Sequence, residues 1–123
     1  MLFHLSIVAK NPKRVTHVLA QLMGGKAEPF PAVENAWIAF ANDVLGTAIE
    51  VYPLETTLKQ GLKNEPVIFA HEKEASYPKS VHFALKTSLE ASQIFDIGKR
   101  EGWRTLSCSR GGFFHVIELW IEN

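Results

Sequence analysis

The sequence predicts an α+β fold built from two copies of one βαβββ unit, and three observations carry that prediction. First, His4 opens a strand that runs into a helix ending at Gly24, and His82 opens a strand whose helix ends at Gly102, an interval of 20 residues in both cases. Second, each half finishes on a strand with the same core, Ile49-Glu50-Val51 in one and Ile117-Glu118-Leu119 in the other. Third, strand parity is the same in both halves. The His or Glu stands on one face, while its immediate neighbours, Phe3/Leu5, Ile49/Val51, Val81/Phe83 and Ile117/Leu119, stand on the other. Those apolar neighbours would pack on the helices, leaving helices outside and the His and Glu residues on a concave face of curved mixed sheets.

Taken in order, Leu2 to Ala9 reads as a strand with Leu5 and Ile7 on one side and His4, Ser6 and Val8 on the other. Asn11 then caps a helix with Pro12 at its first position and Gly24-Gly25 past its end. Its residues Val15, Val18, Leu19, Leu22 and Met23 follow the spacing of one buried face. Pro29 and Pro31 limit the stretch from Lys26 to Glu34 to a short edge strand. Ala36 to Ala41 and Thr47 to Tyr52 read as strands on either side of an Asn42-Asp43 turn.

The segment Leu54 to Leu62 reads as a short helix, and Val67 to Ala70 as a further short strand before a polar link from Glu72 to Lys79. Ser80 to Lys86 alternates as a strand, with Val81, Phe83 and Leu85 against His82 and Ala84. Thr87-Ser88-Leu89-Glu90 has the form of a capping box. The helix behind it carries Ala91, Ile94, Phe95 and Gly98 on one face. Trp103 to Ser109 and Phe113 to Ile121 read as strands joined by a turn at Arg110-Gly111-Gly112.

The repeat places module 1 at residues 1–53, a connection at 54–79 and module 2 at 80–123, together one domain. The His-to-Glu intervals, 46 and 36 residues, differ where the first half has its proline-rich stretch, and duplicated units absorb such changes in loops and edges. At 123 residues the chain can bury one core. Thirteen basic residues balance thirteen acidic ones, and no basic run exceeds Lys99-Arg100, which argues against a phosphate-backbone partner and hence against nucleic acid. Nothing approaches the roughly 18 consecutive apolar residues of a membrane span. The single Cys108 cannot form an internal disulfide, and the first nine residues lack a basic leader or a cleavage site, so a cytoplasmic location is expected.

A carboxylate in a strand as apolar as Ile49-Glu50-Val51 or Ile117-Glu118-Leu119 is costly without a partner, and a cation held by His4 and His82 would serve both. Taken singly, a strand histidine is more often a satisfied half-buried residue than a ligand. Four such residues at matching places in two repeats point to a site. By parity Ser6, Tyr52, Lys86 and Trp120 could line it, and Arg110 beside its glycines could hold an anionic group, although a solvated turn arginine is commoner. His115 falls on the helix-facing side, His17 within the first helix, and His71 in the connection, so none is a ligand candidate.

This pattern resembles the vicinal oxygen chelate superfamily, which includes glyoxalase I, extradiol dioxygenases, fosfomycin-resistance proteins and methylmalonyl-CoA epimerase. The resemblance implies one divalent metal in a cleft between the modules, on His4, Glu50, His82 and Glu118. Two histidines with two glutamates resemble the set of glyoxalase I, and such a mixed N/O set suits Zn, Ni, Co, Mn or Fe. The activity implied is that of a lyase or isomerase acting on a small oxygenated metabolite. The metal would polarise a carbonyl oxygen, and Glu118 or Glu50 would move a proton at the adjacent carbon. A second reading is a sequestering protein of the bleomycin-resistance type with a vestigial metal site. An extradiol-type dioxygenase comes third, because Glu50 would occupy a position that oxygen chemistry needs open. The family also builds its cleft by exchanging modules between chains, and the exposed sheet edges of each module favour a homodimer.

Overall fold

The computed structural model describes residues 3–59, 67–72, 83–110 and 114–122. The fold is mixed α+β, with eight strands in three sheets and two helices among the described residues, and no sheet closes into a barrel. The chain divides into two compact units, Met1–Leu85 and Lys86–Asn123.

The first unit begins with the expected βαβββ arrangement. Strand β1 (His4–Ala9) leads into helix α1 (Pro12–Leu22), followed by β2 (Lys26–Pro29), β3 (Trp37–Phe40) and β4 (Ala48–Pro53). The sheet order is β1-β4-β3-β2, with β1 parallel to β4 and the other pairs antiparallel. A parallel neighbour requires a crossover, and α1 begins that connection by packing across one face of the sheet. Asn11 Oδ1 accepts the Arg14 N–H at 3.1 Å and so starts the helix, with Pro12 inside it where no N–H is needed. Gly24, at φ 63°, turns the chain out of the helix, and a Cβ on Gly25 would lie 1.8 Å from the Phe40 carbonyl oxygen. The Gly24-Gly25 pair is therefore both the stop signal and the point where the chain crosses close over β3.

The core of this unit lies between α1 and the sheet. Val15, Val18, Leu19 and Leu22 are buried as their spacing requires, with Thr16 and Ala20 beside them. They meet Ile7, Ala9, Ile49 and Val51, which the strand register places on the face covered by the helix. Phe3, expected on that face, is exposed. At the turn between β3 and β4, Asp43 Oδ1 accepts the N–H groups of Leu45 at 3.0 Å and Thr47 at 3.2 Å, the Asx chemistry that Asn42-Asp43 signalled. The Thr47 side-chain hydrogen bond first, and then these backbone bonds, hold the Asp43 carboxyl below its ordinary value.

Of the helix expected at Leu54 to Leu62, residues 60–62 lie outside the described residues, and 54–59 are not helical. Thr56–Lys59 is instead a strand, β5, paired antiparallel with β6 (Ile68–His71). The reason is visible in Thr56-Thr57, whose β-branched side chains favour a pleated surface, and in the partner strand that supplies the ladder. Glu72 forms an ion pair with Lys59, and Thr57 Oγ1 donates to Glu72 Oε2 at 3.3 Å.

In the second unit, helix α2 (Ala91–Glu101) precedes the antiparallel strands β7 (Arg104–Arg110) and β8 (Phe114–Trp120). The strand expected over Ser80 to Lys86 is also corrected. Residues 80–82 lie outside the described residues, and 83–86 are not in a strand although their burial still alternates. Alternation makes a strand only where a neighbour provides a ladder, and no described strand pairs with this segment. The capping box sits three residues later than expected, on Glu90 and Gln93 rather than Thr87 and Glu90. The Glu90 N–H donates to Gln93 Oε1 at 2.8 Å, while the Thr87 hydroxyl is engaged by the Leu89 N–H in a local turn at 3.1 Å. The buried stripe of α2 is Ile97 and Gly98, with Phe95 exposed. Gly102, at φ 73°, ends the helix as its position predicts.

Candidate functional site

Register decides which side chains of the first unit share the face opposite α1. Ser6 stands directly across from Glu50 on the parallel β1–β4 pair, Val8 across from Tyr52, and His4 across from Ala48. His4, Ser6, Glu50 and Tyr52 therefore project to one side, as parity predicted, while Ile49 and Val51 point beneath the helix. His4 and Glu50 are diagonal neighbours, about 8 Å apart along the backbone lattice from ordinary strand spacing and rise. His4 is exposed at the start of its strand, and Glu50 is half-buried.

Glu50 lies at the centre of a hydrogen-bonded trio. Its Oε2 accepts the Ser6 hydroxyl at 2.8 Å and also a short hydrogen bond from the Tyr52 phenol. The Ser6 hydroxyl lies 3.3 Å from the Tyr52 oxygen, so its single proton favours the nearer carboxylate. Oε1 of Glu50 has no hydrogen-bond partner among the described residues. Burial, reinforced by the hydrogen bond to Glu50, pushes the Tyr52 phenol up to about 12, while Ser6 opposes the shift. The phenol is accordingly a neutral donor at any ordinary pH.

Aromatic rings fix this donor. Tyr52 is 3% exposed, with Phe69 edge-on at 5.5 Å between centroids and Phe30 tilted at 6.0 Å. Neither phenylalanine was singled out by the sequence. Phe30 lies between two prolines and Phe69 in the connection, and periodicity carries no signal for a contact made between elements so far apart in the chain.

The remaining predicted residues fall as follows. Glu118 stands on β8 across from Leu106, and its Oε2 accepts the Trp120 indole N–H at 3.1 Å. Gly98 of α2 packs against Thr105, which pairs with Leu119, so Glu118 is on the face of its two-stranded sheet away from the helix. Trp120 is half exposed, with the Arg104 guanidinium 5.5 Å from its ring centre. Lys86 is exposed and outside any helix or strand, Arg110 ends β7, and His82 lies outside the described residues. Among the described residues no three His, Cys, Asp or Glu side chains form a group able to hold a metal ion.

Two donors of the kinds that divalent cations take share this face, fewer than the four the sequence predicts. An imidazole and a carboxylate stand one pleat apart, and the carboxylate has one oxygen satisfied by neutral hydroxyls and the other without a described partner. Compared with family models, curated proteins and solved structures, the chain shows no significant match.

Proposed function

We propose that this chain is a divalent-metal-dependent lyase or isomerase of the glyoxalase-like type, acting on a small oxygenated metabolite, with His4, Glu50, His82 and Glu118 as metal ligands. The observation that carries the reading is the position of Glu50. It is a carboxylate in the middle of an apolar strand, on the face away from the helix, held by Ser6 and Tyr52 with His4 one pleat away. A bound cation of the Zn, Ni, Co, Mn or Fe class supplies Lewis-acid polarisation of a substrate oxygen. The chain's own residues do the rest. A glutamate, Glu118 or Glu50, accepts a proton from the carbon beside the carbonyl and returns it at the neighbouring position. The Phe30, Tyr52 and Phe69 rings provide an apolar border beside Glu50. A homodimer is the proposed working form, since β1 and β2 end the order of the described four-stranded sheet.

The test is metal content of the gently purified protein, measured beside His4→Ala, Glu50→Gln, His82→Ala and Glu118→Gln. Near-stoichiometric metal that is lost in His82→Ala is the expected result. A wild type that neither retains nor takes up a divalent ion refutes the reading. The aromatic border beside Glu50 favours a second reading, sequestration of a small molecule without catalysis. Ligand binding that persists in metal-stripped protein would select that alternative.

A further inference from the structure

We infer that the outer face of helix α1, with Trp37 beside it, is a docking surface for an acidic segment of another protein. Residues 1–27 contain Lys10, Lys13, Arg14 and Lys26 and no Asp or Glu, so all thirteen acidic residues of this neutral chain lie beyond them. Lys10, Lys13, Arg14 and His17 are exposed, while Val15, Thr16, Val18 and Leu19 form the buried face of the helix. The surface lies on the side of the sheet away from Glu50 and does not depend on the metal reading. Its charge runs against local stability. The start of a helix carries partial positive charge and favours Asp or Glu, yet the first turn of α1 has no acid and holds Lys13 and Arg14. Helix α2 obeys the rule, with Lys99 and Arg100 in its last turn. Charge kept where folding disfavours it points to binding.

Lys13 and His17 stand one helical turn apart, and both lie against Trp37. The Lys13 ammonium is 5.0 Å from the ring centre, and the His17 imidazole is 5.3 Å from it at a tilt of 50°. His17 Nδ1 donates to the Lys13 carbonyl at 2.7 Å, which holds the imidazole in place. No carboxylate pairs with the Lys13 ammonium among the described residues. The helix amides are not the site, since Asn11 Oδ1 already accepts the Arg14 N–H. A helix surface is convex, so it suits a chain laid along it better than a small anion. Side chains one turn apart on a helix stand about 5–6 Å apart, and alternate side chains of an extended segment about 7 Å. Successive carboxylates on one side of an acidic segment therefore meet successive cations of α1. Other polyanions fit less well. Trp37 is already taken by Lys13 and His17, so it offers no open ring for stacking bases. The exposed residues of α1 are Lys13, Arg14, His17 and Gln21, with no large apolar group to enter a lipid surface.

The experiment is fluorescence anisotropy of a labelled octaglutamate peptide titrated with the full chain at low and at moderate salt. Wild type is compared with Lys13→Glu/Arg14→Glu and with Lys99→Glu/Arg100→Glu, which changes net charge equally on the other helix. The fold of each is checked by circular dichroism. The expected result is binding by wild type that weakens as salt rises, and an affinity lower by about tenfold or more in Lys13→Glu/Arg14→Glu. Lys99→Glu/Arg100→Glu should bind as wild type does, and His17→Ala should bind more weakly. Lys13→Glu/Arg14→Glu should also raise Tm, because acid then stands at the helix start, and this separates a lost surface from a lost fold. Should that double variant fail to fold, Lys13→Ala carries the same comparison. No binding by wild type, or an equal loss in both double variants, overturns the inference. Tighter binding of an octauridylate, or of vesicles containing phosphatidylserine, overturns it in favour of another class of partner. Sedimentation of wild type alone tests the remaining occupant. Self-association that Lys13→Glu/Arg14→Glu abolishes would assign the surface to a second copy of this chain and overturn the partner named here.

Discussion

Thr16→Val should stabilise the first unit, because the hydroxyl of Thr16 is fully buried in helix α1 and its Oγ1 has no hydrogen-bond partner among the described residues. The side chain sits in the layer where Val15 and Leu19, at 0% and 1% exposure, pack α1 against the sheet. A buried hydroxyl without a partner costs about 1–3 kcal/mol, and valine replaces it with a methyl group of nearly the same shape. Thr and Val have similar helix propensity and the same restriction at χ1, so the backbone contributes little to the difference. Part of the gain is offset because a methyl is slightly larger than a hydroxyl and the interior is close-packed. The net expectation is about 1–2 kcal/mol, which corresponds to a rise of about 4–8 °C in Tm for a chain of 123 residues. The assay is thermal unfolding followed by circular dichroism, with Thr16→Ser as the control. Ser keeps the hydroxyl and deletes a buried methyl, so it should lose about 1 kcal/mol. A Tm that stays level or falls in Thr16→Val refutes the reasoning, since the hydroxyl would then be worth more than its burial costs.

Two further outcomes follow from other contacts. Gly98→Ala would place a Cβ 1.8 Å from Thr105 Oγ1, so it should cost about 1–3 kcal/mol in urea unfolding, despite the helix-favouring effect of alanine. The double variant Gly98→Ala/Thr105→Ala should recover much of that loss, and an equal loss in both would show that the close approach is not the cause. Tyr52 should ionise only near pH 12, read from tyrosinate absorbance as a high-pH component that disappears in Tyr52→Phe and moves down in Glu50→Gln. Because the folded value lies above the ordinary 10, Tyr52 contributes stability that is fully present below pH 10 and is lost as pH rises toward 12. A tyrosine titration with no component above 10 would refute the buried, hydrogen-bonded placement.

The first unit was legible because its signals are local. Asn11-Pro12 and Gly24-Gly25 bracket α1 through capping chemistry that operates within a few residues, and the spacing of Val15, Val18, Leu19 and Leu22 names the buried face. Period two in the two strands correctly put His4 and Ser6 on the side of Glu50 and Tyr52, because parity on one strand combines with register on its neighbour. The same reasoning failed at residues 54–59 and 83–86. Thr56 to Lys59 became a strand because Ile68 to His71 lay available to pair with it, and Phe83 to Lys86 kept its alternation without a described ladder to join.

By itself, then, the sequence determined the α+β class, the position and limits of the first helix, and the face on which the residues of β1 and β4 stand. Propensity, capping and periodicity are properties of short stretches of chain and need no knowledge of what lies opposite. Only the tertiary structure decided that both hydroxyls converge on one oxygen of Glu50, and that Phe30 and Phe69 close around Tyr52. Those contacts join residues more than forty positions apart in one case and across separate sheets in another, and such pairing is set by register and packing, which no local pattern encodes.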